Sequence, residues 1–135
     1  MLNFDDKKFE EKTLAREEIF SGKIFHVVKD VVSLHDGQES FRELVFHNGG
    51  TAIAPVHNNK MILVGQYRKA LEKFIFEIPA GKLEKGEEKD PKAAALRELE
   101  EETGYLAQDL TEITAFYGTP GFSSEKTYVY FSSNL

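Results

Sequence analysis

The segment from Asp90 to Gly104, "DPKAAALRELEEETG", is the part of this 135-residue chain that carries complete helix signals. Asp90 suits the N-cap, where a side chain accepts hydrogen bonds from free backbone N–H groups, and Pro91 suits the first helical position. Gly104 suits the left-handed residue that ends a helix. Most of the remaining chain has strand signals, so the sequence predicts an α/β domain in which this helix covers one face of a sheet. The other face then needs a partner subunit or chain beyond Leu135.

Strand signals flank the predicted helix on both sides. Two hairpins are predicted before it, one turning at Asp36-Gly37 and the other at Asn58-Asn59, because these residues suit tight turns. A short strand then enters a glycine-containing loop, and a strand, a loop and a second strand follow the helix. The segments concerned are "KIFHVVKDVVSL", "ESFRELVFH", "TAIAPV", "MILVGQYR", "FIFEIPAGKLEKGEE" and, after the helix, "LTEITAFYGTPGFSSEKTYVYFSSNL".

Composition narrows the classes of function. A hydrophobic content of 41% with eleven Phe residues is typical of a folded globular domain. A net charge of −6 argues against sequence-independent nucleic-acid binding, which needs a basic surface. No apolar run approaches the roughly 20 residues that cross a bilayer, so no membrane partner is expected. The chain has no Cys, which is compatible with the cytoplasmic location that we predict but does not establish it.

An acidic cluster occupies the last turns of the predicted helix. Glu98 and Glu102 are four residues apart, and Glu101 lies within the same third of the helical circle. Like charges at this spacing cost about 0.2–0.5 kcal/mol per pair, and carboxylates near a helix C-terminus also oppose the helix dipole. Arg97 alone cannot neutralise three glutamates, so the cluster predicts a site for a hard divalent cation such as Mg²⁺. The alternative is a solvated acidic face, which glutamate-rich runs form in most soluble proteins.

The residues around this cluster resemble the Nudix box, G-x5-E-x7-R-E-U-x-E-E-x-G-U, in which U is a bulky apolar residue. The second half of the motif is matched without a gap. Nine residues separate Glu87 from Arg97 where the motif has seven, so we expect a longer loop before the helix and an intact acidic face. The matching positions are Gly81, Glu87, Arg97, Glu98, Leu99, Glu101, Glu102, Gly104 and Tyr105.

Segments outside the box resemble the ADP-ribose pyrophosphatase branch of this family. They include "FEIPAGKLEKGE", "VGQYR", the N-terminal hairpin and "TPGFSSE", in which Pro120 stands where the branch carries a proline. The resemblance implies a Nudix α/β/α sandwich around a mixed sheet, with an N-terminal antiparallel β-hairpin subdomain that is often exchanged in a homodimer. We therefore expect a β subdomain for dimerisation and substrate binding at residues 1–46. The Nudix domain is expected at residues 47–135, without its C-terminal part.

The resemblance also implies Mg²⁺-dependent hydrolysis of ADP-ribose, or of a related nucleoside diphosphate sugar, to AMP and ribose 5-phosphate, with Mn²⁺ as an alternative cation. A Nudix hydrolase of nucleoside triphosphates or of other dinucleotides is a second interpretation. A non-catalytic sensor that binds ADP-ribose is a third, although such modules tend to lose the box glutamates. In this branch a loop glutamate activates the water, and its position by alignment falls beyond Leu135; Glu125 is not expected to replace it.

The resemblance assigns catalytic and metal-binding roles to residues of the box. Arg97 is expected to orient the glutamates by ion pairing, and Glu87 is either an outer metal ligand or a partner of Arg97. The expected metal ligands are Glu98, Glu101, Glu102 and the main-chain carbonyl of Ala80, with Glu87 as a further candidate.

Substrate contacts are expected from residues outside the box. Arg68 is expected to approach a phosphate, the alternative being a surface arginine at a strand end. Glu77 is expected to hold a ribose hydroxyl. Arg42 and Phe25 are expected near the adenine end, and Phe25 has the alternative of packing within its strand. The predicted substrate-binding residues are Arg68, Glu77, Arg42, Phe25 and Pro120.

Overall fold

The structure of the protein, a computed structural model, describes residues 3–135. These residues form two compact units. The first contains the described residues up to His47 together with Thr119–Ser124, and the second contains Asn48–Gly118 and Glu125–Leu135. None of the helices within residues 3–135 is long and apolar enough to cross a membrane.

The first unit contains a three-stranded antiparallel sheet of β1 (Lys12–Ser21), β2 (Phe25–Ser33) and β3 (Glu39–His47). The predicted hairpin between β2 and β3 is confirmed. Gly37 takes a φ of +84° in its turn, which glycine adopts without strain. The Asp36 carboxylate accepts a hydrogen bond of 3.0 Å from the Gln38 amide, which closes the turn.

An ion pair between the exposed Arg16 and the buried Asp30 joins β1 to β2. Asp30 is 1% exposed, and its carboxylate accepts hydrogen bonds of 2.7 Å from both Nε and Nη2 of Arg16. The Thr13 hydroxyl donates a third, of 3.1 Å. The hydrogen bonds from Arg16 hold the pKa of Asp30 below its ordinary value, although burial acts in the opposite direction. Because a one-residue slip would separate these partners, the pair specifies the register of β1 on β2.

The second unit contains β4 (Gly50–His57), β5 (Lys60–Met61), β6 (Val64–Arg68), β7 (Lys73–Glu77), β8 (Ala80–Lys82), β9 (Thr111–Tyr117) and β10 (Lys126–Ser132). β4 pairs in parallel with β10, and β9 pairs antiparallel with the other side of β10. β5 and β8 pair antiparallel with the two ends of β4. The sheet is therefore mixed, as predicted.

The second predicted hairpin is correct at its turn and wrong in its second strand. Asn58 and Asn59 take φ values of +50° and +58° between β4 and β5. The segment "MILVGQYR" is divided, however, because β5 ends at Met61 and β6 pairs with β7 in a separate two-stranded sheet. The Ile62 amide donates a hydrogen bond of 2.9 Å to the Pro55 carbonyl. Proline has no N–H group to return that hydrogen bond, so the ladder stops there.

The predicted helix is confirmed as α1 (Pro91–Thr103). The Asp90 carboxylate accepts a hydrogen bond of 3.1 Å from the Ala93 amide at its start. At its end Gly104 takes a φ of +75°, and its amide donates a hydrogen bond of 2.8 Å to the Glu100 carbonyl. Both ends therefore follow from local sequence, as expected.

Two alanines and one leucine form the face of α1 that packs on the sheet. Ala94, Ala95 and Leu99 are buried, whereas Leu96 and Thr103 are only half-buried. The small side chains of the two alanines let the helix approach the sheet closely. The core on this face consists of Ile53, Ala95, Leu99 and Tyr130.

Candidate functional site

The acidic cluster of α1 lies beside β8. Glu98 projects over Gly81, so that a β-carbon at residue 81 would lie 2.0 Å from the carboxyl carbon of Glu98 and 2.1 Å from its Oε1 atom. Because real β-carbons do not come this close to other atoms, only glycine leaves room for this carboxylate. The Glu98 side chain is 14% exposed. The backbone of β8 thus forms one wall of the site.

Glu102 is held to the same strand by its Oε2 atom, which accepts a hydrogen bond of 3.1 Å from the Ala80 amide. Partial burial raises the pKa of the Glu102 carboxyl, and the negative charges of Glu98 and Glu77 add to the rise. The Ala80 hydrogen bond and the positive charge of Arg68 lower the same pKa but do not cancel the rise. Partial burial and two neighbouring carboxylates thus oppose the ionisation of Glu102.

Arg97 contacts three of the box glutamates. Its Nη1 atom donates to Oε1 of Glu98 at 2.8 Å and to Oε2 of Glu101 at 3.2 Å. Its Nη2 atom donates to both carboxylate oxygens of Glu87 at 3.3 Å. Burial acts to lower the pKa of Arg97, but the charges of Glu98, Glu87 and Glu101 outweigh it and raise this pKa. The fork of the guanidinium sets the mutual orientation of these side chains.

The two extra residues of the box are accommodated before the helix. A 3-10 turn, Glu87–Lys89, follows Gly86 and ends at the N-cap Asp90. Glu87 accepts a hydrogen bond of 2.8 Å from the Glu84 amide and still contacts Arg97. The structure thus places Glu87 in one of its two predicted positions, as a partner of Arg97, and the helical face that follows is uninterrupted.

Arg68 and Glu77 form a bidentate ion pair between β6 and β7. Nε donates to Oε1 at 2.9 Å and Nη2 donates to Oε2 at 2.5 Å. These hydrogen bonds raise the pKa of Arg68 and lower the pKa of Glu77. The sequence assigned the two residues to separate parts of a substrate, whereas the structure joins them. Their effect on the pKa of Glu102 places the pair within electrostatic range of the cluster.

The other predicted substrate residues belong to the first unit. Arg42 donates hydrogen bonds of 2.8 and 2.7 Å to the two carboxylate oxygens of Glu11, a partner that the sequence did not indicate. Phe25 is 40% exposed, and its ring lies 6.0 Å from that of Phe20. Pro120 is exposed in the segment Thr119–Ser124. Their contacts with substrate stay predictions.

The donor set of the cluster suits a hard divalent cation. Carboxylates and backbone carbonyls are the ligands that Mg²⁺ prefers, and both kinds of oxygen lie at this site, on Glu98, Glu102 and the backbone of β8. Within residues 3–135, no three carboxylate or imidazole side chains already converge on one point to hold a metal. Arg97 holds Glu98 and Glu101, and the Ala80 amide holds Glu102, so each of these carboxylates already has a hydrogen-bond partner.

One supporting residue was missed by the sequence analysis. The Thr51 hydroxyl in β4 donates a hydrogen bond of 3.2 Å to the carbonyl of Pro91, in the first turn of α1. Thr51 is 1% exposed. The available signal was a small polar residue at the start of the apolar strand "TAIAPV", because buried hydroxyls need a partner.

Comparison with known proteins gives consistent matches over most of the chain. The family model for the NUDIX domain matches residues 47–134. An ADP-ribose pyrophosphatase of Bacillus subtilis (strain 168) is 54% identical over 130 residues, which cover 96% of this chain and 69% of the relative. A methanol dehydrogenase activator of Bacillus methanolicus is 51% identical with the same coverage.

More distant proteins agree. An ADP-ribose pyrophosphatase of Mycobacterium tuberculosis is 35% identical over 125 residues, which cover 92% of this chain and 60% of the relative. The crystal structure of an ADP compounds hydrolase matches with a TM-score of 0.82 over 93% of this chain and 68% of that chain. At 24% identity this likeness concerns the fold alone, and it confirms the predicted α/β fold class.

Proposed function

Because this chain belongs to the Nudix hydrolase family, on the branch that includes ADP-ribose pyrophosphatases, we propose that it hydrolyses the pyrophosphate bond of ADP-ribose. Water would attack one phosphorus atom of the P–O–P linkage, and the bond from that phosphorus to the bridging oxygen would break. The bridging oxygen would leave with the other phosphate, giving AMP and ribose 5-phosphate. The match to the NUDIX family model confirms the family that was predicted from the box residues. The substrate is proposed from the names of the relatives at 54% and 35% identity.

The observation that carries the proposal is the position of Glu98 and Glu102 on one side of α1, both against β8. We propose that these two residues hold a divalent cation, Mg²⁺ or alternatively Mn²⁺, with Glu101 and the Ala80 carbonyl as further ligands. When bound, the cation supplies a Lewis acid that lowers the pKa of water and neutralises charge on the pyrophosphate.

Residues around the cation are proposed to orient these groups and the substrate. Arg97 fixes Glu98 and Glu101 through its ion pairs and is therefore a positioning residue. Arg68 supplies the positive charge for a substrate phosphate, and Glu77 fixes the guanidinium by two hydrogen bonds. An acidic protein of net charge −6 can accept an anionic substrate here because cations and Arg68 offset the glutamates locally.

The direct test is hydrolysis of ADP-ribose in the presence of Mg²⁺, with AMP and ribose 5-phosphate separated by chromatography. We expect AMP from the wild type and a rate lower by a factor on the order of 10²–10³ for Glu102→Gln, since a cation contributes several kcal/mol. EDTA should abolish the wild-type activity. Glu100→Gln, on the same helix but outside the box positions, is the matched control and should retain full activity.

The same assay distinguishes ADP-ribose from other candidate substrates. Nucleoside triphosphates and dinucleotides are tested beside ADP-ribose, and a kcat/KM for one of them above that for ADP-ribose would contradict the substrate proposal. Saturable ADP-ribose binding with no product would favour the sensor interpretation instead.

A second candidate function comes from the relative named as a methanol dehydrogenase activator, which is 51% identical. We propose that this chain too can activate a dehydrogenase. The test adds the wild-type chain, and separately Glu102→Gln, to a methanol dehydrogenase and measures its rate. Activation by the wild type alone would link the effect to the acidic cluster, and no activation by either would refute this candidate.

We also propose that the protein is a cytoplasmic homodimer. The first unit exposes several large aromatic side chains on its sheet, and the rings of Phe20 and Phe25 lie 6.0 Å apart. Clustered apolar side chains on a surface mark sites of association. Light scattering coupled to gel filtration measures the mass directly, and a monomer at micromolar concentration would contradict the dimer. The exposed side chains are Phe20, Phe25 and Phe41.

A further inference from the structure

A cavity of about 250 Å³ opens in the first unit, between the segment that precedes β1 and the turn that joins β2 to β3. Every residue that lines this cavity falls between Lys7 and Gly37, so none of the residues of the acidic cluster contributes to it. The lining is mainly basic and polar. It includes Lys7, Lys8, Glu10, Lys12, Ser33 and His35.

The two segments that form this cavity are held in place by specific contacts. The ring of Phe9 lies 5.7 Å from that of His35, which joins the N-terminal segment to the turn after β2. Glu11 forms a bidentate ion pair with Arg42 of β3, with N–O distances of 2.7 and 2.8 Å. The carboxylate of Asp5 caps a 3-10 turn by accepting a hydrogen bond of 3.1 Å from the Lys7 amide. The basic side chains therefore project from an ordered frame.

The charge around the cavity is unbalanced. Lys7, Lys8 and Lys12 contribute three ammonium groups, and within residues 3–135 none of them forms an ion pair. Glu10 is the acidic residue in the lining. Nearby, the charge of Glu11 is balanced by Arg42, whereas Asp36 keeps its charge and accepts a hydrogen bond from the backbone amide of Gln38. Among the residues that line the cavity, three ammonium groups stand against one carboxylate, so the lining itself carries a net positive charge on a protein of net charge −6.

We propose that this cavity binds a small multivalent oxyanion, either inorganic phosphate or the phosphate group of a monoester. Ammonium groups bind phosphate as point charges, and several together compensate its double charge. A volume of about 250 Å³ is below the roughly 300–1,000 Å³ of sites that enclose drug-sized ligands. The site therefore accepts a phosphate group and excludes a whole dinucleotide. This proposal does not depend on the hydrolytic activity.

The test is a titration of the full chain with inorganic phosphate at constant ionic strength, followed by ¹H–¹⁵N correlation NMR. We expect saturable shifts of the amides of residues 7–12 and 33–37. Lys12→Gln should weaken phosphate binding by about threefold to tenfold, the effect of removing one charged contact. Lys23→Gln is the matched control, because it removes the same charge at the opposite end of the β1–β2 pair and should leave the affinity unchanged.

Three results would overturn the proposal: equal shifts with sodium chloride of the same ionic strength, equal weakening by Lys12→Gln and Lys23→Gln, or shifts confined to α1. Titrations with AMP and ribose 5-phosphate distinguish the source of the ligand. If a monoester saturates the same amides at lower concentration than inorganic phosphate, the site takes a reaction product. If inorganic phosphate saturates them first, it takes the free ion. Thermal denaturation of both variants checks that they fold.

Discussion

The carboxyl carbon of Glu98 occupies the space that a β-carbon on residue 81 would need, at a distance of 2.0 Å. Gly81 and Glu98 are 17 positions apart in the sequence, and they meet because α1 lies beside β8. The glycine of the box and its first helical glutamate are thus one steric unit. Any side chain larger than that of glycine at residue 81 must therefore displace Glu98.

Gly81→Ala is expected to displace the Glu98 carboxylate and to lower kcat for ADP-ribose hydrolysis by a factor of about 10–100, as loss of a supporting contact at a metal site does. The added methyl group cannot fit beside the carboxyl group, so Glu98 must leave its position. Steady-state kinetics with saturating Mg²⁺ measures the effect.

Gly118→Ala is the matched control for this change, since a β-carbon there meets no atom within 4 Å. It should retain the wild-type kcat. Full activity of Gly81→Ala would contradict the steric relationship.

Arg97→Lys is expected to lower kcat about 10–100-fold while changing KM little. An ammonium group keeps the charge but cannot reach Glu87, Glu98 and Glu101 together as the guanidinium fork does. Calorimetric titration with Mg²⁺ should show weaker binding by the variant. An unchanged kcat together with lower thermal stability would mean that Arg97 only stabilises the helix.

Arg68 and Glu77 are expected to behave as one unit in a double-mutant cycle. Arg68→Ala should raise KM for ADP-ribose, because the positive charge offered to the phosphate is lost. Glu77→Ala leaves the arginine free to move, so the two changes together should cost less than the sum of the single changes, with a coupling of about 0.5–3 kcal/mol. If the effects of the two single changes on kcat/KM add up in the double variant, Arg68 and Glu77 act independently and the prediction is wrong.

Asp30→Asn is expected to lower the Tm at pH 7, and the difference from the wild type should shrink as the pH falls. The pKa of Asp30 is lowered in the folded chain by Arg16. The unfolded chain therefore takes up a proton at a higher pH than the folded chain, and the stabilisation by the ion pair is lost as the pH falls through the ordinary value of 3.8 and below. Thermal scans between pH 7 and pH 3 measure the difference in Tm between the two proteins.

Asp36→Asn provides the comparison for this scan, because its exposed side chain can still accept the Gln38 hydrogen bond. Its Tm should follow that of the wild type at every pH. If the difference in Tm between Asp30→Asn and the wild type stays constant down to pH 3, the ion pair is not its cause.

Leu99→Ala is expected to lower the free energy of unfolding by about 2–5 kcal/mol, because Leu99 is fully buried in the core beneath α1. Leu106→Ala makes the same change at a side chain that is 59% exposed, and it should cost less than about 0.5 kcal/mol. Urea unfolding followed by circular dichroism compares the two. Equal losses would place Leu106 in a packed environment as well.

Local signals account for the parts of the fold that were predicted correctly. The caps of α1 at Asp90 and Gly104 and the turns at Asp36-Gly37 and Asn58-Asn59 depend on the conformational preferences of a few neighbouring residues. The break in "MILVGQYR" was missed because it depends on Pro55 in the neighbouring strand. The buried alanine face of α1 was missed because helical periodicity does not show which side meets the sheet.

The family, the ends of α1 and the spacing that gathers the glutamates on one side of it could be predicted from the amino-acid sequence, since each depends on residues close together in the chain. The packing of Glu98 on Gly81, the hydrogen bond from Ala80 to Glu102 and the ion pair of Arg68 with Glu77 emerged with the folded structure. These contacts join different elements. Their geometry depends on how the strands pair and how closely α1 approaches β8, which no local preference specifies.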